Sequence, residues 1–273
     1  MKIIGLIGGM SWESTVTYYQ IVNETIKHEL GGLHSAKILL YSVDFAEIEE
    51  YQTNGEWAKS AEVLTEAAIN LERAGADYLI ICTNTMHKVA PEIQKHISIP
   101  IIHIAEATAE ELKKNNISKV GLLGTKYTMT QEFYKNKLID AGIDVVIPNW
   151  EGVEIVNNII YNELCLGIVS EESKRKYLDI IAELAKNGAQ GVILGCTEIG
   201  LLIQQKDVEL PVFDTTAPQR ILCKRFSTKS RISRYQCAGW GLIPLGYISP
   251  GRLGRYARRM RRECRPSLPG ILF

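Results

Sequence analysis

A chain of 273 residues, 46% hydrophobic and 23% charged, has the make-up of an ordinary globule, long enough for one large domain or two small ones. Basic and acidic residues number 31 each, so the bulk charge points to neither nucleic acid nor membrane as a partner of the body. Six cysteines with no CxxC pair argue against a disulfide framework or a zinc site, and no apolar run reaches the roughly 18 residues of a membrane helix.

The opening reads as a short apolar strand over 2–7 rather than a secretory leader, so reduced thiols and a cytoplasmic location are expected. Gly8-Gly9-Met10-Ser11 turns the chain into a helix over 12–30, closed by Gly31-Gly32. Such a turn can offer backbone N–H groups to an anion, but it is not GxGxxG and has no P-loop lysine. A second strand is expected over 36–43, helices over 47–52 and 56–74, a third strand over 78–81, a helix over 85–96 and a fourth strand over 101–104. Alternating strands and helices imply a parallel sheet.

The pattern then restarts. Val120-Gly121-Leu122-Leu123-Gly124-Thr125 echoes Ile4-Gly5-Leu6-Ile7-Gly8-Gly9. A helix over 127–141, a strand over 145–147 and a helix over 153–164 follow. Ser170 with Glu171 and Glu172 starts another helix, running to 186, with a good cap and early acids. Leu210-Pro211-Val212-Phe213-Asp214 echoes Ile99-Pro100-Ile101-Ile102-His103. Echoes in the same order indicate a duplicated α/β unit. Beyond it, residues 218–273 carry 13 Lys or Arg and one acid, leaving 18 basic and 30 acidic residues in 1–217, a net charge of −12. This basic tail has little apolar periodicity. It reads as a nucleic-acid or membrane-surface patch or, more simply, as a poorly ordered or foreign extension.

Two stretches organise the body. Gly75-Ala76-Asp77-Tyr78-Leu79-Ile80-Ile81-Cys82-Thr83-Asn84-Thr85 and Gly188-Ala189-Gln190-Gly191-Val192-Ile193-Leu194-Gly195-Cys196-Thr197-Glu198 are copies in outline. Each is a glycine turn, a buried strand and then polar residues at the carboxyl end, where open α/β sheets bind ligands. Register sets Thr83 on Cys196 and Asn84 on Thr197. A cysteine there can be a reactive thiolate, with its pKa lowered by the following helix start, or a buried inert thiol. Cys82 should point away from Thr83 and be structural. His87 can bond either a ligand or a backbone carbonyl.

Gly8-Gly9-Met10-Ser11, Thr83-Asn84-Thr85-Met86-His87, Leu123-Gly124-Thr125 and Gly195-Cys196-Thr197-Glu198 together resemble the aspartate/glutamate racemase family over residues 1–217. Its closest form is the branch specific for L-aspartate and L-glutamate or broad in amino-acid range. The resemblance implies an α/β fold of two pseudo-symmetric Rossmann-like domains with mainly parallel sheets and the active site in the cleft between them. The first domain would hold 1–104 with about 211–217, and the second 105–210. It further implies no pyridoxal phosphate, no other cofactor and no metal, a small-molecule amino-acid substrate, and a homodimer. Two residues on opposite faces of the substrate α-carbon take and return a proton. Here they are Cys196, as thiolate base, and Thr83, which stands where the family writes cysteine. Asn84, Thr85 and Thr197 would hold the substrate carboxylate, with Met10, Gln52, Thr125 and Glu198 also lining the site. Gln52 is neutral where some relatives place arginine. The expected activity is racemisation of L-aspartate and L-glutamate. The alternatives are enolate chemistry with one cysteine, such as decarboxylation of a substituted malonate, and a non-catalytic amino-acid or dicarboxylate binding protein.

Overall fold

In a computed structural model of the chain, residues 1–215 are described. The basic tail expected over 218–273 lies outside them, as do residues 216 and 217.

The first half runs β1 (Ile3–Gly8), α1 (Trp12–Leu30), β2 (Lys37–Ser42), α2 (Phe45–Thr53), α3 (Trp57–Arg73) and β3 (Tyr78–Ile81). A 3-10 turn (Thr85–Val89), α4 (Ala90–Gln94) and β4 (Ile101–Ile102) complete it, and α5 (Ile104–Lys114) leads into the second half. The second half runs β5 (Lys119–Gly124), α6 (Lys126–Thr130), α7 (Glu132–Asp140), β6 (Asp144–Val146) and α8 (Trp150–Asn162). A 3-10 turn (Leu164–Leu166), α9 (Glu171–Lys186), β7 (Val192–Gly195), α10 (Ile199–Leu202), a further 3-10 turn (Gln205–Asp207) and β8 (Val212–Asp214) follow.

The strands form two parallel four-stranded sheets ordered β2-β1-β3-β4 and β6-β5-β7-β8. The order is the same in both, as a duplication requires. Strand β8 pairs with β7, with Val192 opposite Val212. The strand expected to join the first unit at about 211–217 therefore belongs to the second sheet. The echo explains why: β4 is the fourth strand of its own sheet, and β8 is its copy.

Burial follows from the parallel topology. Each residue of β3 (Tyr78, Leu79, Ile80, Ile81) is fully buried, as is Ile193 at the centre of β7, because helices cover both faces. One apolar cluster joins Ile4, Leu6 and Ile80 of the first sheet to Val120, Leu122 and Ile193 of the second through Tyr18 and Tyr134. Two others fill the outer sides, under α3 and under α8 and α9. Each such side chain contributes about 1.5–3 kcal/mol by leaving water. Both sheets fall in one compact unit.

Several helices differ from expectation. Over 85–96 a single helix gives way to a 3-10 turn and then α4, where Pro91 supplies no N–H for a continuing ladder. Over 127–141 the helix breaks at Gln131, which is extended at φ −92° and ψ 157°. Thr130 Oγ1 turns back to the Lys126 carbonyl at 2.7 Å and closes α6 there. Helix α5 begins at Ile104, capped by His103, where the sequence suggested that the strand continued. Helix α9 starts as expected, with Ser170 accepting from the Ser173 N–H.

Gly9 holds φ at +94°, and a Cβ there would collide with the backbone of Val43. Gly9→Ala should therefore cost about 2–4 kcal/mol, through a strained φ and a backbone clash together. Thermal melting checks this, and an unchanged midpoint would contradict it.

Candidate active site

The carboxyl ends of β1, β3, β5 and β7 converge on one pocket enclosing about 410 Å³, its open mouth included. Thr83, Asn84 and Thr85 reach it from β3, and Gly195, Cys196, Thr197 and Glu198 from β7. Met10 and Ser11 come from the turn after β1, Thr125 from β5, and Gln52 and Phe45 from α2. Ile160, Tyr161 and Cys165 close the far side from α8 and the turn after it. Every residue expected at the site is thus in one cavity. Phe45, Ile160, Tyr161 and Cys165 were not expected; nothing in their local sequence marks them. Cys82 is fully buried in the shared apolar cluster, as its strand parity required.

Reciprocal hydrogen bonds join the two sheets around this pocket. Thr85 Oγ1 from the first sheet meets Thr125 Oγ1 of the second at 3.0 Å. In return, Glu198 Oε1 accepts from Ser11 and Ser14 Oγ, each at 2.7 Å, and the Ser14 and Thr197 hydroxyls bond each other. Asn84 Nδ2 donates to Thr215 Oγ1 at 3.0 Å, while the Thr215 hydroxyl donates to the Leu194 carbonyl. That hydroxyl has one hydrogen, so Asn84 must face it with its amide nitrogen. Asn84 Oδ1 then has no hydrogen-bond partner among the described residues and stays buried. Gln52 is held from both sides, its carbonyl accepting from Tyr127 at 3.2 Å and its Oε1 from Tyr161 at 3.4 Å.

Cys196 is half-buried, and its thiol donates to Glu198 Oε2 at 2.9 Å. Burial, followed by the Glu198 charge, pushes this thiol well above its ordinary pKa. The expected lowering by a helix start is not found. The helix that follows, α10, has only four residues, and a carboxylate lies against the sulfur instead. Burial likewise raises the Cys165 thiol to about 12.

His87 is fully buried. Its Nε2 accepts from the Ile104 N–H at 3.2 Å, which leaves Nδ1 to donate to the Thr83 carbonyl at 2.8 Å. Of the two roles open to it, the geometry selects the backbone carbonyl: His87 ties the Thr83 backbone to the start of α5. Desolvation lowers its pKa to about 4. The unfolded ring protonates near 6.5, so this term is complete above pH 6.5 and is lost as pH falls towards 4. The loss should amount to about 3 kcal/mol. His87→Gln should make the melting profile less steep across that interval, the contribution of the neighbouring His103, lowered by burial to about 2, remaining; an equal fall in both proteins would contradict the assignment.

The family model for the Asp/Glu/hydantoin racemases matches residues 7–218. The chain belongs to this family. A broad-specificity amino-acid racemase of Bacillus subtilis is 24% identical over 243 residues, 86% of this chain and 100% of that one. The crystal structure of a candidate Asp/Glu racemase from Yersinia pestis superposes with a TM-score of 0.78 at 53% identity, over 83% of this chain and 99% of that one. An aspartate racemase homologue from Pyrococcus horikoshii gives 0.72 at 37% identity, with the same coverage. The chain is accordingly an amino-acid racemase. In this racemase no helix among the described residues is long and apolar enough to cross a membrane.

Proposed function

We propose that the enzyme racemises L-aspartate and L-glutamate, with Cys196 and Thr83 acting on opposite faces of the α-carbon. One observation carries this reading. The two residues occupy equivalent strand ends of duplicated sheets and line the same pocket. Residues 1–104 form one lobe and 105–215 the other, with the substrate between them. Thr85 and the remaining Asn84 amide hydrogen hold the substrate carboxylate, joined by Thr197 when its hydroxyl turns from Ser14 to the substrate. Met10, Gln52, Thr125 and Glu198 complete the wall.

Cys196, as thiolate, takes the α-proton. The hydrogen bonds to the carboxylate stabilise the enolate that forms, because they strengthen as its charge grows. The Thr83 hydroxyl returns a proton on the other face, relaying one from water. A hydroxyl is a far weaker base than a thiolate, so the reverse abstraction at this face is slow. The resemblance assigns the L form to the Cys196 side.

The apolar wall of Met10, Phe45, Ile160 and Cys165 favours a second reading, a broad amino-acid range like that named for the Bacillus relative. Initial rates on aspartate, glutamate and a panel of uncharged amino acids separate the two. A rate on leucine or methionine equal to that on aspartate would overturn the acidic preference. A homodimer and a cytoplasmic location complete the proposal. Light scattering that gives a monomer mass would remove the dimer.

A further inference from the structure

A buried carboxylate placed against a catalytic thiol needs a reason. Glu198 is 6% exposed, and its two oxygens are divided between partners. Oε1 accepts from the hydroxyls of Ser11 and Ser14, and Oε2 accepts from Cys196 Sγ. The two serines belong to the N-cap and first turn of α1 in the first sheet, whereas Cys196 and Glu198 follow β7 in the second. The carboxylate is therefore oriented across the cleft, with one oxygen held for the sulfur.

We propose that Glu198 is the proton acceptor of Cys196: it takes the Sγ–H proton on Oε2 as the sulfur becomes a base. The inference rests on Cys196 being the base of the proposed reaction. The Sγ–H bond breaks, its electron pair stays on sulfur, and Oε2 gains the hydrogen as a neutral acid. The pair keeps one negative charge in this step, so the pocket never holds thiolate and carboxylate together. Once Cys196 has taken the substrate α-proton, the proton on Oε2 passes to solvent, which balances the one Thr83 draws from water and restores thiol and carboxylate; the serine bonds to Oε1 keep Oε2 aimed at the sulfur meanwhile. Transfer inside the cavity suits a thiol that burial and a neighbouring charge make hard to ionise to solvent.

Other titratable groups face the pair. Cys165 and Tyr161 lie on the α8 side, Tyr177 on α9 and Tyr18 on α1; all are pushed up by burial and neutral near pH 7. Glu13, in the first turn of α1, is exposed, and its charge adds to the raising of the Cys165 thiol. None of these replaces Glu198 as an acceptor at neutral pH.

The sign of one substitution separates an acceptor from a mere charge. If Glu198 only repelled the thiolate, Glu198→Gln would lower the thiol pKa and speed its alkylation. If it accepts the proton, the same change slows alkylation by about 10–100-fold at pH 7. The test is alkylation of Cys196 by iodoacetamide, followed on its own peptide by mass spectrometry. The wild type should show a shallow dependence on pH through neutrality, whereas Glu198→Gln should rise about tenfold per unit as the thiol ionises to solvent. Faster or unchanged alkylation in the variant, or the same pH slope in both proteins, would overturn the proposal.

Ser14→Ala gives a second arm should the first variant fold poorly. Removing a donor from Oε1 leaves more of the carboxylate's hydrogen-bonding capacity for the thiol, so alkylation should quicken about three- to tenfold, and no change would again overturn the proposal. Exchange of substrate α-hydrogen is measured on the same samples. If alkylation behaves as stated but no exchange occurs, the acceptor role stands and the racemase reading falls.

Discussion

Cys196→Ala should reduce exchange of the substrate α-hydrogen with solvent by at least about 10³-fold while leaving the fold intact. The sulfur is the one group at the β7 end of the pocket that combines nucleophilic softness with a proton acceptor at hydrogen-bond distance. Removing it leaves Glu198 directed at a methyl group. The cavity created is small and opens to a pocket already half-exposed, so the stability cost stays within about 1 kcal/mol. Circular dichroism and melting establish the fold, and proton NMR in deuterated water reads the exchange. Residual exchange within tenfold of wild type would assign the base elsewhere, with Cys165 next to be tested.

Thr83→Cys should raise the overall racemisation rate by about tenfold or more. The two side chains are close in size, and the repeat already accommodates cysteine at the equivalent position. The free enantiomers have equal energy, so kcat/KM for racemisation must rise equally in both directions. Deuterium exchange is under no such constraint. In the variant a second thiol meets the D form, and its exchange should rise by about tenfold or more while staying below that of the L form. The new thiol has no counterpart of Glu198, since Thr85 holds that register position and is bonded to Thr125. A variant no better than wild type on the D form would mean that Thr83 is not the weak half of the pair.

Much of this was readable because the chain repeats itself. The two glycine-bounded strands, β3 and β7, announced their own length, burial and carboxyl-end chemistry, and the structure brings Thr83, Asn84, Thr85, Cys196, Thr197 and Glu198 to one pocket. Helix α9 was legible from Ser170 and the two glutamates after it. What escaped was non-local. The placement of β8 depended on pairing, and one strand of three residues carries no record of its neighbour. The breaks in the helices over 85–96 and 127–141 follow from single residues, Pro91 and Gln131, set against otherwise helical composition.

The electrostatics of Cys196 lie beyond the sequence for a related reason. A cysteine before a helix start suggests a lowered pKa, but the helix is one turn long and the second residue after the sulfur folds back onto it. Ser11 and Ser14, which fix that carboxylate, are 187 and 184 residues away in sequence. Only the fold brings them together. Asn84 shows the same limit: its side-chain orientation is set by Thr215, 131 residues on.

The most direct test of the asymmetric pair is deuterium incorporation into L- and D-aspartate by the wild-type enzyme under identical conditions. Cys196 can remove and return a proton on its own face, so the L form should gain deuterium with retention faster than it inverts. The D form should incorporate deuterium at about the rate at which it racemises and no faster. Equal incorporation from both enantiomers, each far ahead of inversion, would mean bases of equal strength on the two faces and would contradict the assignment of Cys196 and Thr83.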